Sequence, residues 1–132
     1  MAVVVYTHGR NLYLLERYKE AIEELTRLRS IPNAAKDYPV TDYMIGVASH
    51  RLGQEALAAS SLEAYLKWAY GQSTLTRLEV DAHLKLSEVY EKQGKPLLAL
   101  KEKQKGDSLL RNIQDYARKA GEGAPPAPAP AH

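Results

Sequence analysis

The four histidines of this chain, His8, His50, His83 and His132, are the first residues to ask about chemistry. A protein zinc site draws its ligands from His, Cys, Asp or Glu recurring at short fixed spacings. Here each histidine stands more than thirty residues from the next, and there is no cysteine, so no metal site and no disulfide framework is expected. His50 is left as a lone imidazole whose charge could change near neutral pH. Serines are plentiful, but none lies in a G-x-S-x-G nucleophile turn. The pair Glu23-Glu24 falls on a helical face and reads as solvation. These residue types lack the spacing for catalysis, and neither an enzyme nor a cofactor is expected.

The elements that must position any functional side chain are helical. The 132 residues suffice for one domain with a continuous core, and 45% hydrophobic with 26% charged residues is ordinary for a globular chain. A net charge of +2 does not by itself imply nucleic acid. No apolar run approaches a membrane span, and Met1–Tyr6 lacks the basic start and length of a signal peptide, so a cytoplasmic location is the default expectation. Apolar periodicity predicts about six helices, near 2–16, 18–30, 40–52, 55–71, 74–93 and 96–119. Pro32, Pro39 and Pro96 stand at their edges, and Gly53 and Gly94 mark breaks so short that the flanking helices must be antiparallel. Residues 121–132, GEGAPPAPAPAH, read as an extended Ala/Pro-rich tail or linker beyond a helical domain at 1–120.

Small residues recur at fixed steps. Gly9, Ala21 and Leu25 are followed 37 residues later by Gly46, Ala58 and Leu62, and Gly46, Gly53 and Ala58 are followed 41 residues later by Ser87, Gly94 and Ala99. The unit is a helix hairpin repeated three times, and Gly46 is expected to lie against Ala58 so that the two axes approach closely. Ile45-Gly46, Ala58-x3-Leu62, Leu86-Ser87-x2-Tyr90 and Ala21-x3-Leu25 together resemble the tetratricopeptide repeat, W-x2-L-G-x2-Y…A-x3-F…P over about 34 residues. The resemblance covers residues 2 to about 107. Its tryptophan positions hold Val5, Asp42 and His83, and Lys103 falls where a large apolar residue belongs. It implies an all-α fold, a right-handed α-α superhelix with an extended C-terminal helix.

The resemblance also implies where function sits, on the concave surface built by the first helix of each pair. The corresponding partner-binding positions are Tyr6, Arg10, Tyr13, Tyr43, Val47, His50 and Arg51, continued in the third repeat by Asp81, Lys85 and Glu88. Tyrosine and arginine are enriched at binding hot spots, so a groove so lined suits another protein's peptide or helix. Some family members clamp a partner's C-terminal carboxylate with lysines and asparagines; here Tyr6, Arg10, Met44, Asp81 and Lys85 stand at those positions, and the clamp pattern is not met. The expected function is a non-catalytic adaptor or scaffold. The alternative is self-association through helix 108–120, whose Leu109, Leu110, Ile113 and Tyr116 form an apolar stripe. Residues 95–119 carry seven basic and three acidic side chains, but without interleaved aromatics the stripe of Lys101, Lys103 and Lys105 is a weak case for RNA.

Overall fold

In the computed structural model, which describes residues 1–72 and 76–123, the chain is all-helical. Its α-helices are α1 (Ala2–Leu14), α2 (Tyr18–Thr26), α3 (Ala34–Asp37), α4 (Val40–Arg51), α5 (Glu55–Tyr70), α6 (Arg77–Lys92) and α7 (Pro96–Gly123), with a 3-10 turn at Arg27–Ser30. No strand occurs among the described residues, and no helix there is long and apolar enough to cross a membrane.

The helices pair as α1 with α2, α4 with α5 and α6 with α7. Each pair closes through the same turn. The Arg17 N–H donates to the Leu12 carbonyl at 2.9 Å, that of Gln54 to Ser49 at 2.8 Å and that of Lys95 to Tyr90 at 2.8 Å. The donors are separated by the same steps as the repeated residues, so the sequence period is also a structural one. One residue before each donor the backbone is left-handed: Gly53 (φ 76°), Gly94 (φ 71°) and, in the first hairpin, Glu16 (φ 61°). A side chain there strains against the following carbonyl, which glycine avoids. Glu16→Gly should therefore raise stability by about 0.5–1 kcal/mol, read as a higher urea midpoint at unchanged slope.

Successive hairpins stack through α2 on α4 and α5 on α6. Helix α4 also touches α1 on one side and α6 on the other, so the first helices of the three hairpins lie side by side. Two apolar clusters fill the joints. One holds Val5, Leu25, Leu28, Ala34, Met44 and Ile45; the other joins Ala58, Leu62, Tyr65 and Leu66 to Ala82, Leu86, Val89 and Ala99.

The close approach within a hairpin differs in detail from the expected glycine–alanine seam. A Cβ on Gly46 would lie 2.6 Å from Leu62 Cγ, and one on Gly9 2.6 Å from Leu25 Cδ2; the glycines meet leucines rather than Ala58 and Ala21. Helical side chains lean toward the N-terminus, so the leucine one turn beyond each alanine reaches back over the glycine. In the third hairpin Ser87 takes the glycine's place and donates to the Ala99 carbonyl at 2.7 Å. There the space is supplied from the other side: a Cβ on Gly106 of α7 would meet Leu84 Cδ2 at 3.2 Å and His83 Cβ at 3.3 Å. Lys103 is simply exposed.

Three further boundaries depart from expectation. Among the described residues the α-helices number seven rather than six, because the connection after Arg27–Ser30 contains the one-turn helix α3, too short to show periodicity. Helix α6 begins at Arg77, capped by Thr76, whose hydroxyl accepts from the Leu78 N–H at 3.3 Å while its own backbone N–H donates to Glu79 Oε2 in a capping box. Helix α7 runs on to Gly123, into the stretch read as tail; residues 124–132 lie outside the described residues.

Candidate binding face

Helices α1, α4 and α6 carry the sequence-predicted residues, and several of these side chains are engaged within the structure. Tyr6 is half-buried and stacks on Tyr38 at 4.4 Å between ring centroids, a partner delivered by α3 and absent from the expected set. Arg10 is exposed. Tyr13 is half-buried and meets Tyr18 edge-on at 6.0 Å. Burial lifts its phenol above the ordinary value; Tyr18 and Asp81 add to the rise, and Arg51 opposes it. That balance puts Tyr13 in the joint field of α4 and α6.

Tyr43 is committed to the structure. Its hydroxyl donates to Asp81 across the α4–α6 joint, and its ring packs edge-on to Tyr65 at 5.6 Å. Burial first, then that hydrogen bond and the Asp81 charge, raise its pKa far above the usual phenol. Val47 is only 6% exposed, and what remains of its surface borders the same cleft as His50 and Arg51. A position flanking the buried column can be engaged by the next hairpin, as Tyr43 is by Asp81, and position along one helix does not show how far that stacking reaches.

His50 and Arg51 close α4 and border a cleft of about 530 Å³. Across it stand Lys85, Glu88 and Lys92 of α6, with Glu55 at the start of α5. His50 holds Glu55 Oε2 through Nδ1 at 2.8 Å and faces Glu88 Oε2 through Nε2 at 3.3 Å. Glu55 and Lys92 had not been singled out from the sequence. Both lie within two residues of the turn glycines Gly53 and Gly94, and that nearness to a hairpin end was the available signal.

A second polar cluster lies inside the α5–α6–α7 joint. His83, at the position where the repeat pattern carries tryptophan, is 2% exposed. Its Nδ1 hydrogen-bonds Glu102 Oε2 at 2.7 Å and its Nε2 the Tyr70 hydroxyl at 2.9 Å, while Lys105 Nζ reaches Glu102 Oε1 at 3.3 Å. Burial alone would raise the Glu102 pKa, but the His83 hydrogen bond and the charges of Lys105 and His83 outweigh it and hold the carboxyl below its usual value. Burial raises the Tyr70 phenol, the opposite of what a nucleophile requires. The cluster fastens α7 to its neighbours. Among the described residues no group of three His, Cys, Asp or Glu is placed to hold a metal ion.

On α7, Leu109 is buried and Leu110 and Ile113 are half-buried, whereas Tyr116 is 77% exposed. Gly106 against His83 and Leu84 sets the register, so the turns that follow lie along the first half of α6 and are partly covered. Lys101 and Lys103 are exposed. Comparison of the sequence with protein-family models and with curated proteins returned no match.

Proposed function

We propose that the chain is a non-catalytic protein-interaction module built of three tetratricopeptide-like hairpins in a right-handed superhelix, with a partner peptide or helix received on the α1–α4–α6 face. The observation that carries this reading is that α4 touches both α1 and α6, the first helices of the neighbouring hairpins, with an open cleft beside His50 and Arg51. Rigid half-buried rings beside exposed guanidinium groups are the composition of a binding surface. The turn shared by all three hairpins supports the repeat reading.

Arg10 and Arg51 are exposed, and neither is bonded to a carboxylate of the described residues, so reversing them leaves the core alone. Arg10→Glu with Arg51→Glu should keep the helical circular dichroism and melting temperature while removing the partner from a pull-down under native conditions. Equal capture by both proteins would exclude this face. Tyr43→Ala is a poorer probe, because it would break the Asp81 contact and disturb the fold.

A second reading, self-association through the end of α7, draws on the exposed ring of Tyr116. It requires a mass that rises with concentration and that Tyr116→Glu returns to the monomer value.

A further inference from the structure

We infer that the cleft beside the second hairpin turn takes acidic side chains of a partner segment, and that His50 is the positioning residue that keeps its cations available. The inference rests on the α1–α4–α6 face being the protein-binding one. Glu88 has Lys85 three residues before it and Lys92 four residues after it on α6, the spacing at which helical ion pairs form. Neither pair is present. Glu88 turns instead to His50 of α4, and the other ring nitrogen of His50 holds Glu55. The imidazole thus stands between the two carboxylates of the cleft, hydrogen-bonded to Glu55 and 3.3 Å from Glu88. Lys85, Lys92 and Arg51 border the same volume, and none of them makes an ion pair with a described residue.

The result is a cleft of about 530 Å³ with three cations free of ion pairs on its walls and both of its carboxylates turned to His50. Charge complementarity then selects a segment whose carboxylates meet Lys85, Lys92 and Arg51. The carboxylates in question are side chains, not a chain terminus, because the cations come from two helices flanking an open cleft rather than from a closed end.

The test uses fluorescence anisotropy with two short labelled peptides, acetylated and amidated so that no terminal charge remains: one alternating Glu with Leu, the other Gln with Leu. The Glu peptide should bind at least roughly tenfold tighter at low salt, with the advantage shrinking as salt rises. Lys85→Glu with Lys92→Glu should remove that advantage at unchanged melting temperature. His50→Leu deletes none of the three cations, yet it should weaken the Glu peptide about three- to tenfold, because Glu88 is released to its own lysines. His50→Leu with Glu88→Gln should restore the binding, which a merely structural role for His50 would not.

Equal binding of both peptides to the intact protein would overturn the inference. So would loss of the Glu peptide on Lys101→Glu with Lys103→Glu but not on the cleft reversal, since the basic stretch of α7 would then be the site. Preferential binding of single-stranded RNA over the Glu peptide, lost on the same cleft reversal, would also overturn it. If partner capture depends on Arg10 and Arg51 while the peptides are not distinguished, the acidic cleft falls and the binding face stands. If neither depends on this side of the molecule, both readings fall together.

Discussion

Gly46→Leu is expected to lower stability by about 4 kcal/mol or more, with a fall in melting temperature on the order of 15 °C. The first added carbon is already impossible in place. It would lie 2.6 Å from Leu62 Cγ, 2.8 Å from Leu62 Cδ2 and 3.3 Å from the Leu62 backbone nitrogen. Leu62 has no exposed surface, so it cannot swing away, and its backbone belongs to α5. The strain must therefore part α4 from α5. That opens the cluster Leu62 shares with Tyr65, Leu66, Leu86 and Val89 and reaches the α6–α7 hairpin as well. Gly121→Ala is the control, since a Cβ there meets nothing within 4 Å; alanine's helix propensity should leave it neutral or slightly stabilising. Thermal unfolding of the three proteins decides the matter, and an unchanged midpoint for Gly46→Leu would refute the close approach of α4 and α5.

The second large effect is expected at Glu102. Glu102→Ala leaves His83, buried on α6, without its Nδ1 partner and Lys105 without its carboxylate, a loss of about 3 kcal/mol. Glu102→Gln keeps the shape and an acceptor for the imidazole, and should lose only about 1 kcal/mol. The two variants also separate in their pH dependence. A carboxyl whose folded-state pKa lies below its usual 4.5 contributes stability that is present above that value and lost as pH falls through the lower one. Glu79 acts in the same direction. Burial pushes its pKa up, but hydrogen bonds from Thr76 and Tyr65 prevail and lower it. Urea midpoints followed from about pH 7 to pH 3 should fall steeply for the wild type and less steeply for Glu102→Gln, with Glu79 supplying the remaining acid loss. Parallel acid limbs for the two proteins would remove Glu102 from the acid transition.

Much of the fold was legible because it is local. The hairpin turns follow from Gly53 and Gly94, and the spacing of Gly9, Gly46 and Ser87 marks where paired helices come close. Even Glu16 could have been read by its step of 37 from Gly53. The short helix α3 could not, since a single turn has no period, and with it the Tyr6–Tyr38 stack was missed. The candidate binding positions were read along single helices, without the partners that a neighbouring hairpin supplies. Tyr43 has in Asp81 a partner that α4 alone does not reveal, and Val47 is largely covered although it borders the cleft beside His50.

The amino-acid order by itself determined helix, turn and repeat, because each depends on backbone preferences and on neighbours within one or two turns of chain. Only the tertiary structure decided which polar group answers which. Tyr43 finds Asp81 across 38 residues and His83 finds Glu102 across 19, and Glu88 leaves two lysines of its own helix for His50 of another. Such choices follow from the register at which helices stack, and register is settled by how glycines, alanines and leucines interlock across the joint. A shift of one residue along α6 would carry Glu88 away from His50 and leave every local preference of the chain unchanged.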